Sequence, residues 1–360
     1  DGAQIGPTHD EAIVECYGRI TLQETIPFVK ASAESTDTAI TILPTGDDLA
    51  YRAILEEAVL DAEMLKGHCP KIVFTPIHGT GGISAIPALW DHGVEVASVD
   101  GQTKPDPNFP TVKSPNPENP EALKQGISVA RKIKAKAVIA TDPDGDRIGV
   151  AVFDGKGNYR CISGNQIGCM LAEYRISKLK KLGILPDAGS PRAVILKTFV
   201  TTPMLEEIAR EQGIRCVNTL TGFKWMAEKL ADYEDVATAA LREHEGISWE
   251  YEGTDFHTRA EILLRYSNFT VFAAEESCGY LPLDIIRDKD GNASALAFAE
   301  MLAHLNSIGS APLEFLENLY GKYGYFEETT ANFYFEGVFL SQSANEIIYL
   351  SFAEYYKQTT

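Results

Sequence analysis

Short β-branched and apolar runs alternate along the chain with longer stretches of helical period, the pattern of layered α/β proteins. Residues 71–75 (KIVFT) read as a strand, followed by a Gly-rich turn and a helix over 83–92. A second strand is expected at 94–99, a helix near 118–135, and an apolar strand at 137–141. Strands at 148–153 and 159–162 read as a hairpin about Asp154-Gly155, a pair that favours tight turns, and a helix follows over 166–182. The segment 184–191 (ILPDAGSP) combines breakers with polar residues and reads as a linker. Beyond it the alternation restarts: strand 193–197, helix 203–212, strand 214–218, a helix after Thr221-Gly222, strand 271–275 and helix 291–307. The spacing therefore predicts one α/β domain over 37–183 and another over 190–307. Residues 1–36 read as the end of a truncated first domain, and 308–360, aromatic and acidic, stay unassigned.

At 360 residues the chain has ample material for two or three cores. Its 44% hydrophobic and 23% charged residues are those of an ordinary globular protein. No apolar run approaches the roughly 18 residues of a membrane span, and no secretory leader is visible. Acidic residues outnumber basic ones 51 to 32, which argues against nucleic acid as a partner. A phosphorylated ligand would be repelled at long range, so any phosphate site must rest on a few local cations and backbone N–H groups. The six cysteines lack CxxC spacing, which disfavours a zinc site or disulfide framework and suits a reducing cytoplasm.

The densest candidate chemistry is Thr141-Asp142-Pro143-Asp144-Gly145-Asp146-Arg147, at the end of an apolar strand, where α/β proteins place ligands. Carboxylates at alternate positions of a tight loop can turn inward together and offer oxygens to a hard cation such as Mg²⁺. Arg147 can hold a phosphoryl oxygen and offset the negative charge. An EF-hand fails, because its glycine and glutamate positions are Arg147 and Phe153 here. A solvated acidic turn is the plainer alternative, but three Asp crowded after a buried strand repel one another unless a cation is bound.

Four weaker motifs join it. Ala274-Glu275-Glu276-Ser277-Cys278-Gly279 follows a strand and offers paired acceptors and a hydroxyl to sugar hydroxyls; alone, it reads more readily as a surface turn. Arg287-Asp288-Lys289-Asp290-Gly291 supplies two cations before a helix, and in isolation is an ordinary helix-start charge cluster. Thr221-Gly222-Phe223-Lys224-Trp225 opens a helix, with Thr221 as expected N-cap and Lys224 as a cation near an anion-favouring terminus; a capped amphipathic helix explains it equally. Thr75-Pro76-Ile77-His78-Gly79-Thr80-Gly81-Gly82 can cradle a phosphate on its N–H groups or be a tight turn, and His78 can serve acid–base chemistry or bond its own loop.

Taken together and in this order, TPIHGTGG (75–82), TDPDGDR (141–147), TGFKW (221–225), EESCG (275–279) and RDKDG (287–291) resemble the α-D-phosphohexomutases, the phosphoglucomutase/phosphomannomutase family. The resemblance covers roughly 37–307 and implies two consecutive related α/β domains with mixed sheets sandwiched by helices, the family's second and third. It implies a mutase that passes a phosphoryl group between a phosphoserine and a hexose monophosphate through a bisphosphate, with Mg²⁺ as cofactor and glucose 1,6-bisphosphate as activator. By the same resemblance Asp142, Asp144 and Asp146 would hold the metal, with Arg147, Lys289 and His78 catalytic. Thr221, Gly222, Lys224, Glu275 and Ser277 would bind the sugar phosphate, glucose or mannose being preferred and pentose or glucosamine phosphates the alternatives. The chain departs from the family in having no TASHNP-type serine loop and no RxSGTEP-type phosphate clamp, so an incomplete form is expected. A non-catalytic metal- and sugar-phosphate-binding protein is a competing reading, and a metal-dependent phosphatase a weaker one. The oligomeric state is not legible.

Overall fold

A computed structural model describes residues 4–20 and 45–328. The expectations for 1–36, 37–183 and 308–360 fall partly outside them, at 1–3, 21–44 and 329–360. One compact unit runs to Tyr325. Its elements are α1 (Pro7–Gly18), α2 (Thr45–Leu55), a 3₁₀ turn (Glu56–Ala58), α3 (Ala62–His68), β1 (Ile72–Thr75), α4 (Gly82–Asp91), β2 (Val96–Ser98), α5 (Lys124–Ile133), β3 (Ala137–Thr141), β4 (Ile148–Phe153) and β5 (Tyr159–Ile162). They continue with α6 (Gly164–Lys181), β6 (Ala193–Thr198), α7 (Met204–Glu211), β7 (Arg215–Thr219), α8 (Phe223–Glu245), α9 (Phe256–Tyr266), β8 (Phe269–Ala274), β9 (Tyr280–Leu281), α10 (Gly291–Ser307) and α11 (Pro312–Tyr323). Among the described residues, no helix is long and apolar enough to cross a membrane.

The strands form two mixed sheets, ordered β2-β1-β3-β4-β5 and β7-β6-β8-β9. In each, three parallel strands are followed by an antiparallel return. The second sheet repeats the first without its fifth strand, as expected for related domains. The parallel strands β1, β3, β6 and β8 are buried at every residue, because helices cover both faces. The first core joins Val73, Val138, Ala140 and Ala151 to Leu123 and Ala130 beneath α5.

Helices cross between the layers. α6 precedes the 184–191 segment yet packs on β8 and α7, while α10 leaves the second sheet and packs on α3 and α4 of the first layer. Both have sharp sequence-encoded starts. Ser163 and Gln166 form a reciprocal capping box at α6, and Asp290 caps α10 by accepting from Ala293 N at 2.9 Å.

One expectation changes. The helix expected from 118 begins at Lys124: Asn116 Oδ1 accepts from Glu118 N at 2.9 Å, and this turn and Pro120 hold the chain out of the helix. The hairpin strands fall at 148–153 and 159–162 as expected, and Asp154 Oδ1 organises the 154–158 loop between them by accepting from both Lys156 N (2.7 Å) and Asn158 N (2.9 Å).

Candidate functional site

Corresponding loops of the two sheets meet. The Asp loop leaves the C-terminal end of β3 and returns as β4, and 275–279 leaves β8 and returns as β9. A bridge pairs Arg147 with Gly279, and Ile148 N donates to Cys278 O at 3.1 Å. The acidic and sugar-type motifs, far apart in sequence, are thus stitched backbone to backbone at strand ends, where α/β sheets bind ligands.

Within the Asp loop the ligand oxygens of Asp142, Asp144 and Asp146 lie within 4.8 Å of one another. Asp142 is buried and accepts from Asp146 N (3.1 Å), Arg147 N (3.0 Å) and Arg147 Nε (2.7 Å). Burial pushes its carboxyl up to about 7, with repulsion from Asp146 and Asp144 adding and the Arg147 bonds opposing. Asp146 Oδ2 pairs with Lys289 Nζ at 2.7 Å. Its Oδ1 is buried without a hydrogen-bond partner, the Arg147 Nε at 3.5 Å being within ion-pair reach only. Three converging carboxylates, with an unpartnered oxygen on one of them, fit a hard, oxygen-seeking divalent cation.

Two turns press on this loop. Thr80 N donates to Pro143 O at 2.9 Å, and a Cβ on Gly79 would stand 2.4 Å from that carbonyl, so only glycine permits the approach. On the other side Gly291 N donates to Gly145 O at 3.0 Å, and a Cβ on Gly291 would lie 2.6 Å from it. The 75–82 segment accordingly works as a tight buttress, with the Thr80 N–H committed to protein. His78 is buried in a left-handed conformation (φ 63°), its Nε2 2.8 Å from Thr111 Oγ1 and its ring edge-on to Phe109. This geometry gives His78 a part in holding the turn. Ile77 (φ 45°) and Cys278 (φ 66°) share that strained region, in loops that frame the same site.

Lys289 sits beside Asp146 and 3.4 Å from Asp288 Oδ1, with its ammonium 5.8 Å from the Phe223 ring centroid. Burial alone would lower its pKa, but the two carboxylates outweigh that and raise it, so it stays a cation. Glu275 is buried and its Oε1 accepts from Gly222 N at 2.9 Å; burial nevertheless raises its pKa. The cap of α8 is Gly222, without a side-chain bond, which corrects the expectation for exposed Thr221. Lys224 pairs with Asp10 Oδ2 at 3.0 Å and lies over Trp225, and Ser277 is half-buried next to Glu276, whose Oε2 is held by Thr198 and Thr201. The structure thus gathers Asp142, Asp144, Asp146, Arg147 and Lys289 in one cluster and ties Glu275 to Gly222 beside it.

Sequence reasoning missed Tyr51, on α2. Its hydroxyl donates to Asp290 Oδ2 at 2.8 Å and accepts from Asn292 Nδ2 at 3.0 Å, fixing the start of α10 against the Asp loop. No local signal marks it.

Comparison with known proteins points to one family. The family described as phosphoglucomutase/phosphomannomutase, alpha/beta/alpha domain II, matches residues 51–155, and domain III of the same family matches 163–246. A probable phosphoribomutase of Schizosaccharomyces pombe is 31% identical over 339 residues, covering 93% of this chain and 51% of the relative. A Staphylococcus aureus phosphoglucomutase is 28% identical over 293 residues, 80% of this chain and 46% of that protein. In fold, a putative phosphomannomutase from Thermus thermophilus matches with a TM-score of 0.57 at 20% identity, covering 78% of this chain and 52% of that one. The chain spans about half the length of the curated relatives it matches. The domain II match takes in β1–β4 and the domain III match β6 and β7; with both domain models matched in order along it, the chain belongs to the α-D-phosphohexomutase family.

Proposed function

We propose that this chain supplies the metal-holding and sugar-reading part of an intramolecular phosphotransferase that interconverts hexose 1-phosphate and hexose 6-phosphate. In this reading a phosphoserine from sequence outside these 360 residues exchanges the phosphoryl group through a bisphosphate. The supporting observation is the convergence of Asp142, Asp144 and Asp146 beside two cations, Arg147 and Lys289, joined to the Glu275 loop by the Arg147–Gly279 bridge.

Phosphoryl transfer needs positioned groups and neutralised charge more than covalent help from the protein. Mg²⁺ suits the three Asp and would supply Lewis-acid stabilisation of the phosphoryl oxygens. Arg147, oriented by Asp142, presents its remaining guanidinium N–H groups to a phosphoryl oxygen. Lys289, kept charged by Asp146 and Asp288, is placed to stabilise the reacting oxygens or move a proton there. Glu275 and Ser277 grip sugar hydroxyls, and Thr221, Gly222 and Lys224 read the sugar face and its phosphate. No disulfide links the six cysteines among the described residues, which suits the cytoplasm as the compartment.

A pentose phosphate is the second reading of the substrate, favoured by the 31% identity to a probable phosphoribomutase across 93% of the chain. The test is conversion of α-glucose 1-phosphate and of ribose 1-phosphate, with Mg²⁺ and the matching bisphosphate, by this chain and by a longer one carrying a serine loop. Turnover is expected only from the longer chain, and the ratio of the two kcat/KM values assigns the sugar. If the longer chain binds Mg²⁺ but turns over neither sugar, the non-catalytic binding reading replaces this one.

A further inference from the structure

At the end of the first sheet opposite the Asp loop, positive charge gathers in a chain whose net charge is −19. Arg131, Lys132, Lys134 and Lys136 are all exposed around the end of α5 and the start of β3, and none has a carboxylate partner among the described residues. A helix C-terminus favours cations in its last turn, which accounts for Arg131 and Lys132. It does not account for Lys136, past the helix, whose ammonium lies over Phe153 at 5.1 Å from the ring centroid.

These residues frame a cavity. A chamber of 480 Å³ opens between Arg131, Lys134, Lys136 and the rings of Phe153 and Tyr159, which are 5.7 Å apart. A second chamber of 240 Å³ shares Lys136 and Phe153 and continues into an apolar slot beside Leu302 and Leu305. Among the described residues no carboxylate lines either chamber. Small-molecule sites commonly occupy about 300–1,000 Å³ and combine an apolar chamber with a few polar anchors. A ligand here needs a flat apolar body for the slot and concentrated negative charge for the cations. Local cations must do this work, since the acidic chain as a whole repels anions.

We propose that this two-chambered groove binds a nucleoside phosphate. The nucleobase lies in the slot against Phe153, Leu302 and Leu305, and the phosphates meet Arg131, Lys134 and Lys136. The site is separate from the Asp loop and does not depend on the mutase reading.

The test is calorimetric titration of the 360-residue chain with ADP, GDP, adenosine and pyrophosphate, in the presence of a chelator so that no metal–phosphate complex forms at the Asp loop. The groove predicts one-to-one binding of a purine diphosphate, tighter than adenosine or pyrophosphate. It predicts weakening by at least about tenfold in R131Q/K134Q, two exposed positions at the end of α5 whose variant is checked by thermal unfolding to remain folded at the titration temperature. Absence of binding by ADP and GDP overturns the proposal. So does undiminished binding to R131Q/K134Q, which would place the ligand elsewhere. Pyrophosphate binding as tightly as the nucleotides would make the groove a plain anion patch and likewise overturn it.

Discussion

Lys289 Nζ stands 2.7 Å from Asp146 Oδ2, so a side chain leaving the second sheet neutralises a carboxylate of the first. The contact joins the two sheets at the three-Asp loop. It leaves Asp146 Oδ1 buried without a hydrogen-bond partner, in a residue that converges with the other two Asp. Asp146→Asn keeps the shape and removes the charge. Its affinity for Mg²⁺ or Mn²⁺, measured by calorimetry on the purified chain, is expected to fall at least about tenfold. Unchanged affinity would strike Asp146 from the ligand set.

Gly291 presents a sharper steric test. Alanine is the better helix former by about 1 kcal/mol in a helix interior, so propensity alone favours Gly291→Ala at the start of α10. The added Cβ would meet Gly145 O at 2.6 Å and Arg147 O at 2.9 Å, both backbone atoms of the Asp loop. Overpacking of this kind costs roughly 1–3 kcal/mol. Urea unfolding should show a net loss of stability together with weaker metal binding. A stabilised variant would mean that the α10 start is free to move away from the loop.

Most of the strand–helix alternation was legible, because parallel strands covered on both faces are continuous apolar runs that stand out from their surroundings. The Asp loop was legible too, since three alternate carboxylates before an arginine have few structural uses. What escaped depends on tertiary contact. The segment 184–191 reads as a seam from its Pro and Gly residues, but α6 reaches across it to pack on β8 and α7. Thr221 has the side chain of a cap, yet the backbone turns one residue later and Gly222 donates its N–H to Glu275 instead. Tyr51 was invisible because its partners, Asp290 and Asn292, lie far along the chain.

A buried ion-pair network predicts a non-additive pair of substitutions. Arg259 is fully buried on α9, with Nη2 2.7 Å from Asp284 Oδ1 and Nε 3.0 Å from Asp284 Oδ2, and it also reaches Glu57 of the first layer. Tyr251 donates to the same Asp284 at 2.7 Å. Arg259→Met leaves Asp284 buried with its charge uncompensated, a change that typically costs about 3–5 kcal/mol. Adding Asp284→Asn should recover part of that loss, because the stranded charge disappears. Chemical denaturation of the two single variants and the double variant measures the coupling; simple additivity would show that the pair is worth little to the fold.

Glu300 gives a pH dependence of defined sign. It is fully buried on α10, where Oε1 accepts from Tyr174 at 2.7 Å and Oε2 from Leu60 N at 2.9 Å. Burial raises its pKa; the bonds from Tyr174 and Leu60 and the charges of Arg175 and Lys178 oppose that without cancelling it. The folded protein therefore holds this proton to higher pH than the unfolded chain, whose glutamate releases it near pH ~4.3. Between the two pKa values the native state binds more protons, so its stability falls as pH rises through that window and levels off above the folded pKa. Glu300→Gln removes the titration while its amide can still accept from Leu60 N and donate to the Tyr174 hydroxyl. Relative to the parent, the variant should gain stability as pH is raised above the unfolded glutamate's value of about 4.3 and hold that gain above the folded pKa. Urea midpoints across that range decide it: a variant that instead loses ground with rising pH would show that Glu300 is ionised in the fold and held by Arg175.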